Sequence, residues 1–557
     1  MDNILNESSS TPSEKKKDSA LATQRRFQFS MAFATFVTIL CVPFLAVLVL
    51  QHQAHSHAEA LLTTFENTPA IKFTLHFKRT SMNYHGQDSA ELFILPRPET
   101  NDSHASYDGV LDLQHGEIME KYLYVDHHAY YIKTNDSNVT AATCLAAKDV
   151  PKFNSLAATV HNAREIDRAW VGDAAMDSKV DCADGHLLSF KFGGEPFIAC
   201  TVGFDRIGRI FGQDMDIDVE YLSSLKGVPS MDIPTELTAS SLSCDVIAPQ
   251  DKPVKKTAIA TMTNLAHREA RIAGAECECQ GERKHCLFVH GLFVFIDSPM
   301  TDSFPLYWGD IHEHLPCCLS TKFVHFDTIN QGWNDDSLQQ DFCQAALEVS
   351  GATDTTVGPL NVITHSMGNM IAGAALATGK CKFSNDVTWI SSAGPMRGSQ
   401  GPNWMADRCE QDGGVNELLK GPLEYLSFCP LTRAFESLKY IDTLDKTNQD
   451  LLVAAQQARA SHPNKKVICG TDGYGITSVY SLPLELMGEL VPHSGLNDGA
   501  VALESCVAGL GDDIVFDGHI TSPHYKGRMN HEDLAFRNGD GWLGDDRKPV
   551  KWLSCAF

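Results

Sequence analysis

The sequence predicts an α/β protein: a doubly wound, mainly parallel sheet over residues 281–557, preceded by a smaller β-rich domain over 68–225. Three observations carry this reading. At 557 residues the chain is too long for one ordinary core, so two folded domains are the natural division. In the C-terminal half, short apolar runs rich in β-branched residues recur at His285–Gly291, Thr321–Phe326, Leu360–Ser366, Asp386–Ser392 and Lys465–Gly470. Such runs read as strands buried on both faces. The helical stretches between them, Asp336–Ser350 and Asn369–Gly379 among them, supply the βα alternation of a parallel sheet. From 68 to 225 the texture is instead apolar–polar alternation, as in Ile71–Arg79, Lys121–Lys133 and Met215–Leu222, with Gly, Asn and Asp between the runs. That pattern reads as antiparallel strands. The role of this domain stays open between a curved sheet that contacts lipid, a spacer and a protein-binding module.

The remaining segments follow from composition. Residues 1–26 are polar and rich in Ser and Lys, which reads as a disordered tail. Residues 226–280 form a connector with a predicted helix over 256–275. Helices predicted within 400–462 lie between two strands, and serve either as a lid over a site or as scaffold.

Residues 27–50 carry no charge and are long enough to cross a hydrocarbon core of roughly 30 Å. Lys15, Lys16, Lys17, Arg25 and Arg26 precede the run, and no Lys or Arg stands in the twelve residues after it. The positive-inside rule then predicts a single-pass type II membrane protein, with everything after residue 50 lumenal or extracellular. The alternative is a secreted protein released by signal cleavage near Ala58-Glu59-Ala60, but the run is longer than an ordinary signal-peptide core. Of 17 cysteines, Cys41 falls inside the run and 16 lie beyond it, an even number suited to disulfides in that compartment. Cys277 with Cys279, and Cys317 with Cys318, lack a second pair at zinc-finger spacing and argue against zinc. Glycosylation sequons begin at Asn101, Asn135 and Asn138, all on the same predicted side. His52, His55 and His57 read as solvated rather than metal-binding. A formal charge of −25 argues against a nucleic-acid partner, since a basic surface is what neutralises phosphate.

The chemistry begins at Asn361–Asn369, NVITHSMGN, where an apolar strand runs into Ser366 and then a helix start. A serine on a tight strand-to-helix turn projects its hydroxyl above the sheet, and small neighbours let helix and strand approach. Gly368 fits this; Thr364 stands where the usual motif has glycine. Leu287–Phe293, LFVHGLF, is a strand ending in His-Gly before an apolar loop, which offers the Leu292 amide as one oxyanion donor and Met367 as the other. His290 reads as a loop-packing residue. An acid and a histidine follow in order: Asp498 in NDGAV and His531 in RMNHEDL. Asp472, Asp512 and Asp517 compete as acids, and His493, His519 and His524 as bases, so local context makes the choice.

Together HGLF, THSMGN, SSAGPMRGSQ, NDGAV and RMNHEDL, with YWGDIHEHL after the first of them, occur in the order found in one family. Residues 284–540 resemble the bacterial true lipases of the Pseudomonas and Burkholderia type, within the α/β-hydrolase superfamily. The resemblance implies a carboxylic-ester hydrolase with Ser366, Asp498 and His531 as catalytic triad, acting on lipid at a membrane surface. Related folds include lipid acyltransferases and glycolipid-anchor deacylases. Those lipases also hold a structural calcium near the histidine loop. Asp533 matches one ligand, and Asp472 is the nearest candidate for a second. No organic cofactor is required for this chemistry. An alternative of another class is a catalytically silent hydrolase fold used for binding.

Overall fold

The computed structural model describes residues 56–557 apart from 98–105, 137, 151–154, 173–177, 183–184, 234–243, 249–268 and 411–429. The 27–50 run and the Asn101 sequon lie outside the described residues. Among the described residues, no helix is long and apolar enough to cross a membrane.

A helix over 56–67 leads into an 11-stranded sheet whose adjacent strands all pair antiparallel. Strand Ala70–Phe77 lies near its middle, flanked by Ser89–Arg97 on one side and Met215–Leu222 on the other. From there the strands meander outward to Asn138–Cys144 at one edge and Arg164–Ile166 at the other. Alternation sets the register. Val219, Phe73, Leu92, Leu111, Tyr122 and Tyr131 stand opposite one another strand by strand, so one apolar row crosses six strands. Asn135 and Asn138 are exposed at the hairpin turn between the last two strands of that side.

The connector departs from expectation. Within the segment read as helix, Glu269–Ile272 is a strand paired parallel with Arg168–Val171, with Ile272 buried. Residues 256–268 lie outside the described region. The run HREARIA has helix-compatible spacing, and an available sheet edge overrode that local preference.

The C-terminal sheet has seven strands in the order Ser298–Thr301, Cys318–His325, Lys284–Val289, Leu360–His365, Val387–Ser392, Lys465–Gly470, His524–Gly527. All pairs are parallel except that of the first strand. Its central strands are buried on both faces, as their continuous apolar runs require. Helices Asp336–Ser350, Met367–Ala377 and Lys446–Ser461 cover one face, and Pro549–Cys555 helps cover the other. Within the 400–462 region, Lys446–Ser461 is scaffold rather than lid. Gly373 lies so close to Ala455 that an added Cβ would stand 3.0 Å from it. Arg459 of that helix is fully buried and donates to Ser391 Oγ and to the Cys506 and Ala508 carbonyls.

Disulfides join Cys144–Cys244, Cys182–Cys200, Cys277–Cys555, Cys279–Cys317, Cys286–Cys318, Cys343–Cys381 and Cys469–Cys506. The adjacent Cys317 and Cys318 thus take different partners. Buried ion pairs lock the two units together. Asp214 of the large sheet accepts from Arg79 Nε at 3.0 Å and Lys551 Nζ at 2.6 Å, and also pairs with Lys548. Arg79 reaches Asp540 at 2.5 Å and Lys548 reaches Glu195 at 2.6 Å. Three cations thus meet three carboxylates, which is what makes such deep burial tolerable.

Candidate active site

Strand Leu360–His365 delivers Ser366 at φ 53°, ψ −127°, and helix Met367–Ala377 starts at the next residue. A non-glycine residue with positive φ is strained, and it persists where its surroundings fix it. The Ser366 amide donates to the Ser392 carbonyl at 3.0 Å, and the Asn369 amide to the Ser366 carbonyl at 3.1 Å. Two glycines make the close approach feasible. A Cβ on Gly368 would meet the Val289 carbonyl oxygen at 2.6 Å, and one on Gly291 would meet Ser366 Cβ at 2.6 Å.

The Thr364 departure from the usual serine motif is tied to Asn369, five residues on. Thr364 is fully buried, and its hydroxyl donates to Asn369 Oδ1 at 2.6 Å while accepting from Trp389 Nε1 at 2.9 Å. Asn369 Nδ2 in turn lies 3.0 Å from the Ser366 carbonyl and 2.8 Å from that of Ser392. The side chain that replaces glycine therefore braces the turn from beneath.

The structure brings Ser366, His531 and Asp498 together. Ser366 Oγ lies 2.9 Å from His531 Nε2, and His531 Nδ1 lies 2.9 Å from Asp498 Oδ2. The other Asp498 oxygen accepts from the Ala500 and Val501 amides at 3.0 and 2.7 Å, and the His531 amide donates to the Asp498 carbonyl at 2.9 Å. With Asp498 acting as acceptor, Nδ1 carries the proton and Nε2 faces the serine as a base. Burial disfavours the charged ring, but the Asp498 carboxylate outweighs it and holds His531 above the usual histidine value. Three of the competing groups are engaged elsewhere: Asp472 with Lys148 at 2.5 Å, Asp517 with the His519 amide at 2.8 Å, and His524 with the Val467 amide at 3.2 Å. Asp512 is exposed.

Met367 is the first residue of its helix and Leu292 follows Gly291. Among the described residues neither amide donates to the protein, which leaves both available to an oxyanion.

Sequence reasoning missed a second set of residues. The Gly291 amide donates to Tyr307 Oη at 2.7 Å, Tyr307 Oη lies 2.7 Å from His365 Nδ1, and His365 Nε2 lies 2.9 Å from the His531 carbonyl. With a neutral His365 the contacts have one assignment: Nε2 donates to the carbonyl and Tyr307 donates to Nδ1. Burial, and then the neighbouring His531, push His365 well below the usual histidine range, consistent with that neutral ring. This relay ties the oxyanion loop to the histidine loop. The YWGD segment and the residue before the serine were visible in sequence, but their meeting was not. His290 packs as expected, accepting from the Phe326 amide at 3.0 Å, with burial lowering its pKa to about 4.

The donor set at Asp533 does not fit calcium. Its Oδ2 accepts from the Ile476 and Asn530 amides at 2.8 Å each and its Oδ1 from Asn538 at 2.7 Å. Asp472 is paired with Lys148, and no cluster of three metal-ligating side chains occurs among the described residues. Calcium needs several free oxygens, and these are occupied.

Strand order, elbow and the Ser–His–Asp arrangement define the class: an α/β-hydrolase fold joined to a large antiparallel sheet. No family model matches the chain, and no curated relative matches it. Among solved structures the chain is similar to the phospholipase PlaB from Legionella pneumophila, at 14% identity and TM-score 0.26, covering 40% of this chain and 45% of that one. It thus spans less than half the length of that phospholipase. The haloalkane dehalogenase DbeA from Bradyrhizobium elkani matches at 15% identity and TM-score 0.19, covering 35% of this chain and 75% of that one.

Proposed function

We propose that the protein is a serine hydrolase cleaving carboxylic esters of lipids through an acyl-Ser366 intermediate. The observation that carries this is the continuous path from Ser366 Oγ through His531 to Asp498, with 2.9 Å at each step, on a strained strand-to-helix turn. Ser366 attacks the ester carbonyl while His531 Nε2 takes its proton. The Leu292 and Met367 amides receive the oxyanion, and the same imidazolium then protonates the leaving alkoxide. Water activated by His531 releases the acid and restores the serine.

A lipid substrate is favoured by the loop beside the serine. Phe293, Phe295 and Ile296 are 42%, 66% and 74% exposed, an apolar rim suited to a lipid surface. A type II topology, as proposed from residues 27–50, would put that rim at a lumenal or extracellular membrane face. Labelling with a fluorophosphonate probe, followed by a lipid-ester panel with and without an acceptor alcohol, tests the reading. Labelling and ester turnover dependent on Ser366 are expected. An unlabelled, inactive protein would sink it in favour of a binding role, and transfer of the acyl group to the alcohol would mark an acyltransferase.

A further inference from the structure

We propose that the large sheet encloses a second lipid site, one that binds a monomeric amphiphile with long acyl chains and stands apart from Ser366. A cavity of about 1300 Å³ lies against its apolar face. Pockets for drug-sized ligands run from roughly 300 to 1,000 Å³, and protein interiors otherwise leave few voids larger than a water. The register explains why the space exists. The row Phe73, Leu92, Leu111 and Tyr122 faces it, and a sheet face this apolar ordinarily packs against a second full layer. Here the 56–67 helix contributes Leu61 and Phe65, Leu156–Asn162 adds one short helix, and the space remains.

The lining is amphiphilic in composition. Most aliphatic and aromatic lining comes from the sheet, which also contributes Glu120, while Lys148, Asp149, Arg537 and Arg547 line the cavity from outside the sheet. Asp149 Oδ1 and Arg547 Nε are buried without a hydrogen-bond partner, polar groups that a headgroup could engage beside the apolar lining. Burial also raises the Asp149 pKa to about 6. The chemistry that satisfies both is a lipid: chains along the sheet, polar group toward Arg547. Ser366 does not line the cavity. The 476–479 loop does, and its Ile476 amide binds Asp533, which also holds the Asn530 amide next to His531. The two sites are therefore neighbours across one loop, and the inference does not depend on what Ser366 does.

The test is photocrosslinking of the full chain carrying Ser366→Ala, with lysophosphatidylcholine bearing a diazirine in its palmitoyl chain, and mapping of labelled peptides. Expected are crosslinks on Ala70–Phe77, Ser89–Arg97 and Ser106–His115. Unlabelled palmitoyl lipid should compete, a butanoyl analogue should not, and Leu111→Trp or Leu92→Trp should cut labelling at least tenfold. A thermal melt reports whether each variant has folded, and the unsubstituted cavity is mapped in any case. Crosslinks confined to the loop beside residue 366, no crosslink at all, equal competition by the butanoyl analogue, or full labelling in folded tryptophan variants would overturn the proposal.

Discussion

The two sheets solve the same burial problem in opposite ways. The parallel sheet is sealed by helices on both faces, and the chemistry-bearing side chains gather where its central strands end. The antiparallel sheet has apolar rows of comparable extent but only thin helical cover, and it keeps a large cavity. A filled face fixes atoms to within a hydrogen bond, which a reacting group needs. An open face gives volume without fixed geometry, which suits holding rather than reacting. Substitutions can separate these roles, because each should leave a signature in one unit.

The largest expected effect lies in the parallel sheet alone. Ser366→Ala should lower kcat by on the order of 10⁶ on the scale of serine-protease triads, with an unchanged melt. Single-turnover assays and calorimetry check both halves. Asp498→Asn should cost about 10⁴ in kcat by favouring the wrong imidazole tautomer, and the Asp498→Asn/His531→Ala double variant should be little worse than His531→Ala alone. Strict additivity of those two losses would show that they do not act as a unit.

The junction between the sheets should respond in stability. Asp214→Ala leaves Lys551 and Lys548 facing each other in a buried site and should cost about 3–5 kcal/mol, read from denaturant unfolding. Burial disfavours its charge, but Arg79, Lys548 and Lys551 prevail and hold Asp214 well below the usual carboxylate range. With the folded value depressed, its contribution is present above the unfolded pKa near 3.8 and fades as pH falls through the folded one. A variant whose stability deficit were undiminished in strong acid would contradict that sign.

Thr364→Gly restores the usual motif and should nonetheless destabilise by about 1–3 kcal/mol, because Asn369 Oδ1 and the Trp389 N–H lose their shared partner. A neutral result would mean that Thr364 merely fills space. The smallest effect is in the pH profile. Activity requires neutral His531, so the acid limb of kcat/KM should fall at a pH above the ordinary histidine value of 6.5. Asp498→Asn should move that limb to lower pH.

What was legible in the sequence was local. Leu360–His365 is one apolar run, Ser366 sits three residues from Asn369, and Asp498 and His531 each occupy a short distinctive context. The alternation over 68–225 likewise announces strands from nearest neighbours. What was not legible depends on distance along the chain. The Tyr307–His365 contact spans 58 residues, the Arg79–Asp540 pair 461, and the cavity is a gap between segments rather than a pattern within one. The strand at Glu269–Ile272 exists because Arg168–Val171 is beside it. The lipase resemblance placed a calcium ligand at Asp533, but there the amides of Ile476 and Asn530 already satisfy the carboxylate.

The Cys277–Cys555 bond has a consequence for how the protein would break. Its ends are 278 positions apart in sequence, so it closes nearly the whole hydrolase unit into one covalent ring. A protease that nicks the backbone once anywhere inside that ring opens the circle without releasing a piece. The two stretches would migrate as a single band on a gel run without thiol, and part only when reductant is added.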